Sequence, residues 1–488
     1  MKSLYKILCL LLLTITLFSC EETLEVVPPG EFSPSTVLSN EEGITALLYA
    51  AYVQFQYELG YKNVINMMEV STDMAFNTGG GENRTLSLFI AWTWDESVGW
   101  IANDLWARPY RAIRNANTLL DNLDEAGDVP EATKNQLAAE ARFIRAKSYA
   151  DLYNWMGPVP LRTSTEQEDA LPRASDEEML AFIESELTAS VSDLPNPGEE
   201  SQYGRATKGS ALGILTKFYL NTRQWDKVVQ SANQIEALGY YELMPDFESV
   251  FAIGNEANRE LLLVFPKLAE AGYGNNFSNG SFPPNFLRSV TLPQYEWTTS
   301  MANWATQYRL QDDFVNTYDK ENDERFKLII DTYINRNGDT VQLSTSPNNT
   351  RCLKYFDQNA IGNHHGNDFP VIRYSDILLS WAEALNELNG PTAEALELVN
   401  RVRRRAGLAD LTNAEASSTD AFRDLILQER GWEFVAEGKR REDLVRQGKF
   451  VSLAQERNIA NADAFRELFP IPETELNANP MATQNPGY

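Results

Sequence analysis

Two adjacent histidines, His364 and His365, sit in the loop "GNHHGND" that ends at Asp368. Imidazole and carboxylate are metal ligands. A loop rich in Gly and Asn does little to preorganise them, so the pair reads as loop residues with no metal. There is no H-E-x-x-H helix and no G-x-S-x-G elbow. Gly79-Gly80-Gly81 is followed by Glu82 rather than by Lys and Ser/Thr, so it reads as a flexible loop tip and not a phosphate cradle. "DKENDERF", Asp319 to Phe326, offers oxygen ligands for Ca2+ but lacks the EF-hand spacing and glycine, and reads as a solvated turn. With 69 acidic residues in the chain, a pair of carboxyls placed to cleave a glycosidic bond stays open as an alternative.

Aromatic rings in non-helical segments carry a stronger signal. "WTWDESVGW" supplies Trp92, Trp94 and Trp100. "GYGNNFSNGSFPPNF" supplies Tyr273, Phe277, Phe282 and Phe286 among Asn275, Asn276 and Asn279. "PQYEWTTSMANW" supplies Tyr295, Trp297 and Trp304. Trp and Tyr combine an apolar body with a polar tip, and Asn both donates and accepts. That pairing suits sugars, whose C–H faces stack on rings while their hydroxyls need amide or guanidinium partners. Arg84, between the glycines and the first Trp pair, is placed to fork onto hydroxyls. The candidate ligand-binding set is therefore Arg84, Trp92, Trp94, Tyr273, Asn275, Asn276, Trp297 and Trp304, with Trp94, Tyr273 and Trp297 as the preferred contacts. The competing reading makes a loop Trp a plug of the core beneath a long loop.

Composition narrows the partners. The chain has 488 residues and a formal net charge of −27, which argues against nucleic acid, where Lys and Arg must neutralise phosphates. A hydrophobic fraction of 43% with 10 Trp, 20 Tyr and 23 Phe supports a sizeable core. The 3 cysteines are Cys9, Cys20 and Cys352. Cys9 falls in a leader and Cys20 at its end, so Cys352 is left without a disulfide partner and stability must come from packing.

The leader is the run Ile7 to Phe18, behind Lys2 and Lys6. It is shorter than the roughly 20 residues of a membrane-spanning helix and has the form of a signal-peptide apolar region. Leu17-Phe18-Ser19-Cys20 resembles a bacterial lipobox, with Cys20 as the acylated mature N-terminus. Acyl chains hold a protein at a membrane by about 0.8 kcal/mol per buried CH2.

Beyond Pro28-Pro29-Gly30 the pattern is helical. One-faced apolar spacing predicts helices over Asn40 to Leu59, Leu105 to Leu123, Ala132 to Trp155, Asp176 to Leu194, Lys208 to Asn221 and Gln224 to Leu238. The last two form a hairpin similar to a tetratricopeptide unit. A second such hairpin is "YSDILLSWAEALNELNGPTAEALELVNRVRRRAGL", broken at Gly390-Pro391 and closed by Gly407. Asn66 to Trp100 lacks periodicity, and Glu256 to Asn367 mixes the strand-like "ELLLVF" with Gly/Asn/Ser/Pro loops. The fold class expected is mostly α: a tetratricopeptide-like helical-pair scaffold with long irregular loops and a few short strands.

Several segments, in order, resemble the SusD/RagB-like lipoproteins of Bacteroidetes. They are "LWARPYRAIRNANTLLDNL", "AEARFIRAKSYADLYNWMGPVPL", "GRATKGSALGILTKFYLNTRQWDKVVQSA", "VIRYSDILLSWAEALNEL", "QERGWEFVAEGKRREDLVRQGKF" and "LFPIPETELNANPMATQNPGY". Glu21, Glu22 and Glu25 after Cys20 resemble the surface-export tag of such lipoproteins. The resemblance implies four tetratricopeptide-like helix pairs and a lipid-anchored, outward-facing outer-membrane protein. It implies a partner TonB-dependent (SusC-like) transporter, a glycan ligand and no enzymatic step or cofactor. Its boundaries would be 1–19 for the signal peptide, 20–36 for the lipidated N-terminus and tether, and 37–488 for the SusD-like domain, in parts 37–265 and 266–488. The family builds its ligand patch from one loop region after the first helices and one mid-chain, where the aromatic segments lie. Capture of peptide or another nutrient, and a surface glycoside hydrolase, are the alternatives. Within "ERGWEF", Glu429, Trp432 and Glu433 fall near one helix face. Trp432 and Phe434 read as core, Arg430, Arg440, Arg441 and Asp443 as mutually pairing or capping groups, and "FPIP" and "NPGY" as a tail wrapped onto the body.

Overall fold

The structure, a computed structural model, describes residues 40–56, 61–127, 129–305 and 307–488. The leader, Cys20 and the tether lie outside the described residues.

The N-terminal half is a run of helices. They are α1 (Glu41–Phe55), α2 (Tyr61–Val70), α3 (Asn83–Ile90), α4 (Arg108–Asn122), α5 (Glu131–Met156), α6 (Asp176–Asp193), α7 (Lys208–Asn221) and α8 (Trp225–Ala237). A π-helical turn over Ile101–Ala107 leads into α4, and Pro109 lies at its start. Polar caps set the entries. The Asn40 side chain accepts from Gly43 N–H, and Ser175 and Glu178 close a reciprocal capping box at α6. The C-terminal third adds α9 (Tyr374–Asn389), α10 (Ala393–Arg405), α11 (Thr419–Glu433) and α12 (Arg440–Arg446). Gly390 and Gly407 follow α9 and α10 at φ +75° and +78°, where a side chain would be strained. Packing runs α1 on α4, α4 on α5, α5 on α6, α6 on α7, α7 on α8, α8 on α9, and α9 on α10 and α11. The scaffold is thus a stack of antiparallel helix pairs, as the one-faced spacing predicts.

Between α8 and α9 lies an insert of short strands and loops. Strand β1 (Leu261–Phe265) pairs antiparallel with β5 (Phe369–Arg373) and fastens both ends of the insert to the helices. Within it, β2 (Phe286–Ser289), β3 (Thr332–Asn335) and β4 (Thr340–Gln342) form a three-stranded sheet. Phe282, Phe286, Met301, Ile330, Tyr333, Leu353 and Phe356 make a small core of its own beside the main one.

Two expectations need correction. Asn66 to Trp100 is not all loop, because it contains the second half of α2 and all of α3. Every described residue of α2 except Asn63 is buried, so the helix shows no polar stripe for a periodicity reading to find. "DKENDERF" is only half a solvated turn. Asp319 to Asn322 are exposed, but Asp323, Arg325 and Phe326 are buried.

The charged motifs of the C-terminal third are structural. Arg325 is met by Asp323 at 2.8 Å, Glu429 at 2.7 Å and Glu433 at 3.2 Å. Arg373 is met by Glu260 at 2.6 Å and by Glu433 and Glu437 at 2.8 Å. Arg405 adds further bonds to Glu260 and Glu433. These guanidinium groups hold the Glu433 carboxyl well below its ordinary range despite its burial. Arg430 pairs with Asp376 at 2.8 Å and with Asp443 at 2.9 Å, Arg440 with Asp73 at 2.7 Å, and Arg441 donates to the carbonyls of Arg466 and Glu467. Phe434 is buried, and Trp432 packs half-buried on the core with its indole N–H on Thr317 Oγ1. The tail wraps back: Phe469 N–H donates to Trp155 O, and Tyr488 O–H to Leu468 O.

Removing one partner from such a lattice strands the others. Arg373→Met is expected to cost about 3–5 kcal/mol of unfolding free energy, read from urea denaturation; a cost below about 1 kcal/mol would show the pairs to be solvent-like.

Glu69, wholly buried, accepts from the Tyr308 hydroxyl and from the Gly438 and Ala436 N–H groups; burial nevertheless pushes its carboxyl up to about 7. The fold therefore binds this proton more tightly than the unfolded chain does. Its contribution to stability is full below the ordinary carboxylate value and is lost as pH rises toward and through 7. From pH about 5 to about 8 the denaturation midpoint of the native protein should fall relative to that of Glu69→Gln. Parallel midpoints across that range would contradict this.

Candidate functional site

The mid-chain insert brings three loops together, and backbone hydrogen bonds decide how. Asn275 and His365 exchange N–H···O bonds of 2.7 and 2.9 Å. The contact is so close that a Cβ at Gly274 would stand 2.5 Å from the Cα of His364, so only glycine fits there. Gly362 N–H donates to Ser300 O and Ala302 N–H to Gly362 O, both at 2.6 Å. Trp304 N–H reaches Asn279 O at 2.7 Å, and the Asn279 amide donates to Ala302 O at 2.9 Å. Segments 268–279, 297–304 and 361–366 are thereby stitched into one surface.

That surface is unusually apolar for exposed loops. Tyr273 is 56% exposed, Ile361 62%, Leu268 57% and Ile253 41%. They belong to one neighbourhood: Tyr273 adjoins Gly274 on His364, Ile361 bridges to His364, and a Cβ on Gly366 would touch both Ile253 and Ala269. Asn276 is half-buried, and its side-chain amide makes no hydrogen bond among the described residues.

Trp304 marks the other end. Its half-buried ring has the Lys62 ammonium 4.7 Å from its centroid. Lys62 is buried and held by Glu82 at 2.5 Å, and its Nζ donates to Gln307 Oε1 at 3.3 Å. The glycine tip lies on this spot, since a Cβ on Gly80 would meet Gln307 Cγ at 2.9 Å. Arg84, two residues past Glu82 in the first turn of α3, is exposed and its guanidinium is unpaired among the described residues. Tyr273, Asn276 and Trp304 therefore fall on connected loops, with Arg84 at the start of α3 just past the glycine tip.

Trp297 holds an intermediate position. It packs half-buried on the small core, the Arg336 guanidinium covers its ring at 4.3 Å, and its indole N–H is buried without a partner among the described residues. It offers an edge and a donor rather than an open face.

Three candidates belong instead to the core. Trp92 and Trp94 are wholly buried. Trp92 stacks on Phe450 at 4.4 Å and donates to Ser71 O, while Trp94 stacks on Phe89 at 5.5 Å and donates to Tyr488 Oη at 2.8 Å. Burying such rings removes the largest apolar surfaces in the segment from water, and each polar tip finds an acceptor. Asn275 is buried too. Its amide spans Asn367 O and Phe277 N–H, fixing the loop rather than facing outward.

The histidine pair behaves as loop framework. His365 is buried, Asp357 N–H donates to its Nδ1, and burial pushes it down to about 3, which keeps it neutral. No cluster of three or more His, Cys, Asp or Glu side chains suited to a metal occurs among the described residues. Sequence reasoning missed Ile361, Leu268 and Lys62. The signal was the "GNHH" loop itself, whose glycines permit close packing against Tyr273-Gly274.

The split between core and surface rings is measurable. Trp94→Ala should lower unfolding free energy by about 3–5 kcal/mol, and Tyr273→Ala by no more than about 0.5 kcal/mol, both by urea denaturation. Equal costs would reject the assignment.

Comparison with known proteins adds the lineage. The model of the SusD family matches residues 284–488, and a model described as starch-binding associating with outer membrane matches residues 23–220. SusD-like protein P25 of Formosa agariphila is 27% identical over 98% of both chains. A laminarin binding SusD-like protein superposes with a TM-score of 0.77 at 23% identity, covering 92% of this chain and 100% of that one. Surface glycan-binding protein A from Bacteroides thetaiotaomicron, in complex with laminarihexaose, gives 0.73 at 19% identity, covering 91% and 99%. On sequence and architecture together, this chain belongs to the SusD family.

Proposed function

We propose that this protein binds glycans at the stitched loop surface of its insert and delivers them to a TonB-dependent outer-membrane transporter. Cys20 would anchor it to the outer membrane by lipid, with the body facing outward. The observation that carries the reading is the exposed Tyr273, joined through a hydrogen-bonded loop framework to Trp304 and flanked by the free amide of Asn276. Rings there offer stacking faces, and Asn276 and Arg84 offer partners for hydroxyls. The loops are tied at close range before any ligand arrives, so little ordering cost is left for binding.

Similar proteins favour the same class, with laminarin, laminarihexaose and starch among their ligands. Two of the carboxyls that burial pushes upward are held by the fold rather than presented to a ligand. Glu69 at about 7 is sealed in the core, and Asp368 at about 6 is tied to the Tyr203 hydroxyl and Lys267 N–H.

Affinity electrophoresis in gels containing laminarin or starch tests the site. The native protein should be retarded by at least one of them, and Tyr273→Ala and Trp304→Ala should each weaken retention about tenfold, in line with about 1–3 kcal/mol per stacked ring. Full retention in both variants would remove the loop surface as the site.

A further inference from the structure

A second concavity, built from other residues, lies where α4 faces the segment after α5. Its volume is about 520 Å3, within the range of small-ligand sites. Arg111, Arg114 and Arg162 line it, together with Trp106 and Tyr110.

The charge there is unusual. In a chain of net charge −27, Arg111 and Arg114 stand three apart on one exposed helix face, and neither has an ion pair or side-chain hydrogen bond among the described residues. Two like charges at that spacing repel. Arg162 opposite them is held by the carbonyls of Glu168 and Asp169, and its guanidinium makes no ion pair with a carboxylate among the described residues. The carboxylates of Asp169 and Glu475 also line the concavity, leaving three guanidinium groups against two acids.

The walls are preformed. Asp121 Oδ2 on α4 accepts from Thr165 N–H at 2.7 Å and from the Ser164 and Thr165 hydroxyls. The Asn117 amide donates to Arg162 O, and Arg145 donates to Thr163 O at 2.9 Å. Tyr110 is fixed by a 2.7 Å bond from its hydroxyl to Pro160 O, and its ring lies 4.8 Å from that of Trp106.

We propose that this concavity is a second saccharide site, selective for acidic sugars, in which Arg111, Arg114 and Arg162 take a carboxylate or sulfate ester while the half-buried Tyr110, backed by the buried Trp106, contacts the ring. Planar guanidinium forks match both anions bidentately, and the adjoining rings and hydroxyl-lined wall suit a sugar better than a bare ion. This site does not depend on the loop surface, and either can fail without the other.

Titration calorimetry on the full-length protein tests it with four probes: trigalacturonic acid, a sulfated galactan oligosaccharide, a neutral galactan trisaccharide and a tetraglutamate peptide. Either acidic saccharide should bind at least about tenfold tighter than the neutral one, the stronger of the two naming carboxylate or sulfate as the natural anion. Arg111→Gln/Arg114→Gln should erase that preference and leave laminarin or starch retention unchanged. No preference for acidic sugar, a preference that survives the double substitution, or tetraglutamate binding as tightly as the saccharides would each overturn the proposal. The last result would mark an acidic-polypeptide surface instead.

Discussion

Buried charge pairing governs this architecture. Glu433, at the end of α11, receives Arg325 from the insert, Arg373 from the junction of β5 and α9, and Arg405 from the end of α10, all with side chains nearly or wholly removed from solvent. Arg373 in turn holds Glu260, just before β1, and Glu437, which also takes Lys354 of the insert. Charges so deep are tolerated only when each finds its partners at close range. The lattice therefore permits one placement of the insert on the helical stack. Its value lies in that placement more than in net stabilisation, since well-packed apolar groups can match buried pairs in energy.

The lattice shares the task of placing the insert with the pairing of Ala75–Phe76 on Arg309–Leu310 and with the Tyr308 hydroxyl on Glu69. The insert's own strands are short, and its private core is small beside that of the helices. With the entry strand β1 and exit strand β5 paired and the lattice closed beneath them, the loops above need only short-range backbone bonds to hold their shape. The result is a surface whose exposed rings rest on a rigid base. A weakly binding saccharide site needs that combination, because stacking and single hydrogen bonds cannot also supply the cost of ordering loops.

Much of the scaffold was legible in the sequence for a plain reason. Helices α1, α4 to α6 and α8 each bury one stripe or end at a Gly or Pro, and both features are visible in the residues; α7, buried almost all round, was legible from its apolar run and the short turn to α8. Helix α2 was not legible, because burial on all sides erases the stripe and its polar residues, Lys62, Asn66 and Glu69, look like loop chemistry. The loop aromatics were found as a group but could not be sorted. Trp92 and Trp94 sit among small and polar residues, as Trp304 does, and only the partners across the chain, Phe450, Ser71 and Tyr488, decide that they are core. The lattice was likewise half-visible. Pairing of Arg430 with Asp443 could be expected from neighbouring motifs, whereas Arg325 with Glu433 joins residues 108 positions apart and leaves no local trace.

The central claim is that an ion-pair lattice holds one loop surface in place for ligand. Hydrogen exchange of the native protein, with and without whichever of laminarin or starch it retains, addresses this directly. The account predicts added protection confined to segments 268–279, 297–304 and 361–366, with the lattice-bearing ends of α10 and α11 already slow to exchange and unchanged by ligand. Protection appearing chiefly around Trp92–Trp100, or fast exchange at those helix ends that slows only on binding, would contradict it.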